Sequence, residues 1–468
     1  MAYVEDTIAA IATAAGPGAV AIVRLSGALA FALARRVCAD PDGRAPDFSV
    51  SHRARLGRVR DEAGRVLDDV LLLPMKGPRS YTGEDVVEIH CHGGDLIPRL
   101  VLSRLLREGA REARPGEFTR RAFLNGRMDL CRAEAVADLV GATSEPALQL
   151  ARGQAEGRLS EALSALRDRL VDARALVEAH LDFPEDDLPA EASLEIRDAI
   201  EDSLARIADL LAGFDRARLV REGARVVLVG KPNVGKSSLL NALLGRDRAL
   251  VSEQPGTTRD FLEEPVALGS RGARVIVVDT AGLREADGAV ERAGIERTRQ
   301  LAESGDAVVV LFDASRPPDG EDRAVLDLAR SLAARGVPCV LAWNKVDLSP
   351  PGVAGAAEDS LGAGSLPEVR VSARTGSGLG ELCSLLDDAL AALGGRNSDA
   401  ALPLVSRERH RSSLRRASDI LSEISPDDEL EIVAQALQAG ALELEALLGE
   451  STNEEVLDRI FERFCIGK

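Results

Sequence analysis

Three patterns of apolar and polar positions follow one another along this 468-residue chain. Up to about residue 125, short apolar runs at 20–25, 66–73 and 86–90 read as strands between turns, and 96–108 reads as a helix. That mixture predicts an α+β domain over residues 1–125. From Asp129 the spacing becomes helical: Leu159, Leu163, Leu166, Leu170, Val177 and Leu181 mark one apolar face, which reads as core. Prolines between 184 and 189 end that helix, and another is predicted from about 191 to 221. Unbroken apolar runs at 226–229, 275–278 and 339–343 then read as strands, and a helix over 380–393 closes this α/β block. Within it, 352–364 is a loose glycine-rich loop; after it, GGRNSD is a linker. The remainder is helical again. Leu437, Leu444, Leu447 and Leu448 mark one helix. Thr452 and Glu455 form a capping box for another, with Val456, Leu457, Ile460, Phe461 and Phe464 expected on its inner face. The prediction is a multidomain α/β protein in which residues 222–394 are inserted into one helical domain, 126–221 plus 395–468.

The inserted block carries ordered chemistry. GKPNVGKS at 230–237 follows an apolar strand and opens a helix, the setting in which G-x-x-x-x-G-K-[ST] binds phosphate. Gly230 and Gly235 let backbone N–H groups, including those of Val234 and Ser238, close on phosphate oxygens; Lys236 would reach the terminal phosphates and Ser237 would ligate Mg²⁺. DTAG follows: Asp279 would hold Mg²⁺ through water, Thr280 and Ala281 complete the turn, and Gly282 can donate to the terminal phosphate. NKVD supplies Asn344, Lys345 and Asp347, whose carboxylate can accept both donors of guanine's edge. Adenine lacks that pair, so a buried Asp347 would penalise ATP. Ser372 and Ala373 complete the base pocket. The block therefore reads as a Ras-like P-loop G domain that binds GTP.

Two features bear on hydrolysis. Ras-like proteins orient the attacking water with a glutamine just after the DTAG glycine, where this chain has Leu283. Hydrolysis is therefore slow, or another group supplies the chemistry. Asn233 offers one route, a monovalent cation beside the phosphates that offsets developing charge; the alternative is that it only stabilises its loop. The stretch SEQPGTTRD at 252–260 reads as a switch in which Thr258 is the candidate Mg²⁺ ligand that senses the terminal phosphate.

Composition narrows the setting. There is no apolar run long enough to cross a membrane, and Glu5 and Asp6 near the start argue against a signal peptide. Six cysteines without paired spacing fit a reducing cytosol. His90 and His92 share a strand face, yet no second cluster supplies further metal ligands, so a structural role is favoured. The net charge of −18 does not suggest a general nucleic-acid binder. Residues 99–132 nevertheless hold nine arginines, and 407–416 hold five more; either face meets a phosphate backbone or is simply solvated. Of 58 basic residues only Lys76, Lys231, Lys236, Lys345 and Lys468 are lysine, and three of these lie in nucleotide motifs.

The segments outside the G domain carry a resemblance. DTIAAIATAAGPGAVAIVRLSG (6–27), SYTGEDVVEIHCHGG (80–94), RPGEFTRRAFLNGRMDL (114–130) and the closing FCIGK resemble the tRNA-modification GTPases of the MnmE family, also called TrmE, over the whole length. The resemblance implies a cytoplasmic homodimer with a folate-binding-like N-terminal domain that dimerises. It implies an FAD-dependent partner, MnmG (GidA), in a heterotetramer or larger complex. Together they would add an aminomethyl-type or carboxymethylaminomethyl group to carbon 5 of the wobble uridine of certain tRNAs. A tetrahydrofolate derivative, 5-formyl or methylene, would supply the one-carbon unit. Family folate contacts map onto Arg24, Glu88, Arg127 (often lysine in the family) and Lys468, where a carboxylate suits the pterin's donor edge and cations suit carboxylates. Family K⁺ activation maps onto Asn233, Ser252 (threonine in some relatives), Gln254 and Thr257, and a switch glutamate that orients water onto Glu291. Cys465 matches a cysteine proposed to act in the modification; as a nucleophile it needs a lowered pKa, which Lys468 can help provide, and otherwise it is a small hydrophobe. Arg132 stands where the family usually has glutamine. No flavin fingerprint is present, so redox chemistry falls to a partner. The competing reading is a regulatory GTPase of ribosome assembly, which needs neither a folate pocket nor a fixed Cys-Ile-Gly-Lys end; a pure scaffold would leave the nucleotide motifs idle.

Overall fold

The computed structural model describes residues 6–182, 190–247, 262–268, 271–277, 300, 302–349, 366–393, 405–425 and 428–467. The chain divides into two compact units, one of residues 1–140, 153–206 and 412–468, the other of 141–152 and 207–411.

The first unit is built on seven strands: β1 (Ile8–Ile11), β2 (Val20–Ser26), β3 (Cys38–Ala39), β4 (Arg55–Arg60), β5 (Val66–Met75), β6 (Val86–His92) and β7 (Arg111–Glu112). They lie in the order β3-β4-β5-β6-β2-β1-β7. Alternation sends Val23, Leu25, Leu72, Val87 and Ile89 to one face, where the helices Ala30–Val37 and Leu96–Arg107 cover them. Arg24, Glu88 and His90 therefore share the opposite face. The register sets Arg24 opposite Glu88 and His90 opposite Leu71. The expected strands and helix are present, each strand one or two residues longer. The additional strands β1, β3, β4 and β7 escaped the pattern because they are very short, alanine-rich or interrupted by arginine. Helix Arg158–Asp182 carries the predicted stripe: Leu159, Leu163, Leu166, Leu170 and Val177 are buried, Leu181 only partly. Helix Leu430–Leu448 buries Leu437, Leu444, Leu447 and Leu448. Its Gly440 packs beside Leu421 and Leu170, where a Cβ would make ordinary to slightly tight contacts of 3.3–3.5 Å.

Two local expectations are corrected. Helix Glu454–Phe461 is capped by Asn453, whose side chain accepts from the Val456 N–H at 2.9 Å, and not by Thr452, which donates to the Ala446 carbonyl at 2.9 Å. Asparagine sits one residue closer to the first turn and caps as well as threonine. With that start, Leu457, Phe461 and Phe464 turn inward, whereas Val456 faces solvent at 36% exposure. The helix expected over 191–221 is two helices, Ala190–Ala212 and Phe214–Glu222, because Gly213 interrupts it.

The second unit has six strands: β8 (Ala224–Gly230), β9 (Leu262–Leu268), β10 (Arg271–Val277), β11 (Ala307–Asp313), β12 (Cys339–Asn344) and β13 (Glu368–Arg370). Their order is β13-β12-β11-β8-β10-β9, parallel except for β9. The unbroken apolar runs are what a sheet covered on both faces requires. Val226 and Leu228 face the helices Lys236–Asp247 and Leu379–Leu393; Val227 and Val229 face the helix Gly320–Ala334. This sheet aligns the strand ends that carry the nucleotide motifs. Among the described residues, no helix is long and apolar enough to cross a membrane.

Candidate functional site

The phosphate loop leaves β8 at Gly230 and enters the helix Lys236–Asp247. Two backbone conformations shape it: Asn233 has φ +61° and Gly235 φ +97°. Gly235 also admits no side chain, since a Cβ would meet Asn344 Nδ2 at 2.3 Å. Lys236 is buried, and its ammonium donates to the carbonyls of Gly230 (2.6 Å) and Lys231 (2.7 Å). A helix N-terminus, a ring of loop amides and a lysine held on weak neutral acceptors suit a polyphosphate, whose charged oxygens are better partners. Ser237 and Ser238 are exposed at the helix start, as a Mg²⁺ ligand and a phosphate donor need to be. The Asn233 side chain is exposed too and, among the described residues, makes no hydrogen bond to its own loop. Its loop-stabilising role is therefore one of backbone conformation.

The residues expected to recognise the base lie at the ends of β12 and β13. Asn344 is 2% exposed and donates to the Val234 carbonyl (2.8 Å) while accepting from the Ala373 N–H (3.0 Å), tying phosphate loop to base loop. Lys345, in a left-handed conformation with φ +67°, reaches Asp313 Oδ2 at 2.6 Å. Burial works against charge on Asp313, yet the hydrogen bonds from Lys345 and Ser315 hold its carboxyl below the usual range. Asp347 accepts from Ser372 Oγ at 2.7 Å through one oxygen; its other lies 3.8 Å from Arg374, a largely exposed side chain. Ser372 thereby aims the carboxylate that the guanine edge would need. Asn344, Lys345, Asp347, Ser372 and Ala373 thus converge with Val234 and Gly235. Ser252, Gln254, Thr257, Thr258, Asp279, Thr280, Ala281, Gly282, Leu283 and Glu291 lie outside the described residues, as do the loop 352–364 and the linker.

In the first unit Arg24 and Glu88 meet on the open face of the sheet. Arg24 Nε and Nη2 lie 2.9 and 2.8 Å from Glu88 Oε1, both side chains being more than four-fifths buried. His90 Nε2 sits 3.2 Å from the second carboxylate oxygen. The rings of Tyr81 and Phe118 flank the guanidinium at 5.7 and 5.6 Å. The C-terminal tail reaches the same place: Arg24 Nη1 donates to the Gly467 carbonyl at 3.2 Å. Gly467 has φ +95° and packs so tightly on β1 that a Cβ would lie 2.5 Å from the Ile11 carbonyl oxygen. Cys465 is exposed on this tail, its carbonyl 3.5 Å from the Gly116 N–H. Lys468 lies outside the described residues. Arg127 is exposed beside the 80–84 loop, where a Cβ on Gly83 would lie 3.3 Å from its Cγ; among the described residues no hydrogen bond joins it to Arg24 or Glu88.

Sequence reasoning missed Tyr81 and Phe118 here, and gave His90 only a structural role on its strand. Tyr81 and Phe118 stood inside quoted motifs, but nothing in their spacing aims them at Arg24. His92 is instead held by Asp68 at 2.7 Å, and among the described residues no cluster of three metal-type ligands occurs. The arginine-rich stretch is mostly neutralised within the unit: Arg104, Arg107, Arg111, Arg120, Arg121 and Arg132 each pair with an acid. Arg132 fits against Gly157, where a Cβ would come within 2.0 Å of its guanidinium.

Comparison with known proteins agrees with this geometry. Residues 7–127 match the family model described as the GTP-binding protein TrmE N-terminus, and residues 130–465 match that of the MnmE helical domain. The protein named tRNA modification GTPase MnmE in Geobacter sulfurreducens is 44% identical over 474 residues, covering 100% of both chains. Proteins of the same name are 42% identical in Geobacter metallireducens, again over 100% of each chain, and 44% identical in Symbiobacterium thermophilum, over 99% of this chain and 100% of the relative. With a phosphate loop, a guanine-type pocket and both flanking domains in one chain, this protein belongs to the MnmE (TrmE) family of tRNA modification GTPases.

Proposed function

We propose that this GTPase works as the nucleotide-driven component of a tRNA-modifying complex. With an FAD-dependent MnmG-type partner it installs an aminomethyl-type group on carbon 5 of the wobble uridine, using a tetrahydrofolate one-carbon unit. The observation that carries the reading is the docking of the C-terminal Gly467 on Arg24, which is paired with Glu88 between two aromatic rings. A regulatory GTPase has no use for such a tail. Arg24, Glu88, Arg127 and Lys468 supply the carboxylate and cations that fit a reduced pterin with a glutamate tail. Cys465 lies on the same tail, exposed for modification chemistry. The bound folate would supply the one-carbon unit; the chain's own part is to hold and orient it.

For hydrolysis, Ser237 and Thr258 hold Mg²⁺, while Asn233, Ser252, Gln254 and Thr257 hold K⁺ where an arginine finger acts in other GTPases. Glu291 orients water in place of the missing glutamine, and Lys236 neutralises the terminal phosphates. The N-terminal region, 1–125, forms the homodimer; exposed Leu56 (66%) and Leu71 (45%) on the Arg24 face of the sheet support this. Residues 222–394 act as the inserted G domain between the helical parts 126–221 and 395–468.

Calorimetric titration of 5-formyltetrahydrofolate into the full chain is expected to show binding that Glu88→Gln and a chain ending at Phe464 both lose. A folded, GTP-binding protein that takes up no folate would favour the ribosome-assembly reading.

A further inference from the structure

The phosphate loop holds a second lysine that the nucleotide chemistry does not use. Lys231 is 8% exposed, and its ammonium points away from the phosphate cradle to the loop before the helix Gly320–Ala334. Its Nζ lies 2.5 Å from both carboxylate oxygens of Asp319, 3.4 Å from Glu321 and 3.5 Å from Asp322. Asp319 is also the N-cap of that helix: it accepts from the Glu321 and Asp322 N–H groups, and Asp322 Oδ2 accepts from the Asp319 N–H. Arg316 adds a contact to Asp319 at 3.0 Å. Burial disfavours the charge on Lys231, but the Asp319 hydrogen bond and the Asp322 charge raise its pKa above the ordinary lysine value. The Lys231 bond is the main cause holding the Asp319 carboxyl far below the usual carboxylate range.

The place of Lys231 at the start of the loop makes this consequential. Lys231 directly precedes Pro232 and Asn233, the loop turns left-handed at Asn233, and the Lys231 carbonyl is one of the two acceptors of Lys236. Whatever fixes Lys231 fixes the entry of the cradle and the place of Asn233. We propose that the Lys231–Asp319 ion pair is a positioning lock that holds the phosphate loop in register for nucleotide and for the cation beside it. Lys231 touches neither; it acts through the backbone it anchors.

The test is a double-mutant cycle in the full chain. Asparagine caps a helix about as well as aspartate, so Asp319→Asn removes the charge and spares the cap. Lys231→Met and Asp319→Asn are each expected to speed release of a fluorescent GDP analogue and to lower the turnover of bound GTP, together by roughly tenfold to a hundredfold, the cost of an ångström-scale displacement. The double variant is expected to be no worse than either single one, and Lys231→Arg to recover most of the loss. Melting temperature, measured alongside, separates folding from function. Unchanged release and turnover in both single variants, whatever their melting temperatures, would overturn the lock. So would additive effects in the double variant.

Discussion

Replacing Asp347 by asparagine is expected to lower affinity for GTP by about ten-thousandfold, the discrimination that a buried hydrogen-bonding site exerts against a ligand lacking the matching group. Ser372 Oγ donates to Asp347 at 2.7 Å, so one carboxylate oxygen is held in place and acceptor capacity remains for the guanine edge that the proposed base recognition requires. Guanine offers two donors to it. A carboxamide presents one acceptor and one donor, and that donor would face the guanine amino group. XTP carries a carbonyl in place of that amino group, so the variant is expected to bind XTP in preference to GTP. Competition of the two nucleotides against a fluorescent analogue measures both affinities. Asn344, which clamps Val234 and Ala373, is untouched by the change, so the phosphate loop stays in place. Equal GTP affinity in variant and wild type would remove Asp347 from base recognition.

The second large effect lies in the first unit. Arg121 is 4% exposed and serves three acids: Asp6 at 2.5 Å, Glu84 at 3.2 Å and Glu117 at 3.2 Å, besides donating to the Asp6 carbonyl at 2.9 Å. Arg121→Met is expected to destabilise this unit by about 3 kcal/mol, the low end for breaking a buried pair, since it removes the buried cation shared by three carboxylates while Arg111 still serves Asp6 and Glu117 and Ser26 still serves Glu84. The pH dependence carries the sign. Burial works against the charges of Asp6 and Glu117, yet their bonds to Arg111 and Arg121 hold both carboxyls below the usual range. A lowered folded-state pKa contributes stability above the unfolded carboxylate pKa, about 4, and that contribution is lost as pH falls through the lowered values. Wild type is therefore expected to lose stability steeply below about pH 4, and Arg121→Met to lose less over the same window. Denaturant midpoints of both proteins at neutral and acid pH test this. If the chain binds folate as proposed, the variant is expected to weaken that binding as well, because Glu84 also accepts from Ser26 at 2.6 Å and belongs to the loop that carries Tyr81.

Among the described residues, the phosphate loop was more legible in the sequence than the Arg24 site. A phosphate loop is a local object: Gly230, Asn233, Gly235 and Lys236 shape it within a few residues, and unbroken apolar runs mark the strands that feed it. The Arg24 site depends on distant pairings instead. Arg24 meets Glu88 across 64 positions and Gly467 across 443, and neither separation follows from propensity or period. Only the family motifs pointed there, and they named Arg24 and Glu88 while leaving out the Tyr81 and Phe118 rings and His90. Lys231 shows the same limit within the G domain. Lysine scarcity marked it, but the reason, an aspartate that caps a helix across the sheet, lies 88 positions away. The smaller misses were contests between neighbours: Asn453 took the cap from Thr452, and Gly213 divided a helix that periodicity alone would continue.

The most direct test of the account is GTP turnover by the full chain in potassium chloride against sodium chloride at equal ionic strength, with Asn233→Ala beside wild type. With Leu283 in the water-orienting position, potassium is expected to accelerate wild type by about a hundredfold, the scale of one well-placed charge-stabilising group. Asn233→Ala is expected to bind GTP but lose that acceleration. Equal wild-type rates in the two salts would contradict the cation-assisted mechanism on which this reading of the G domain depends.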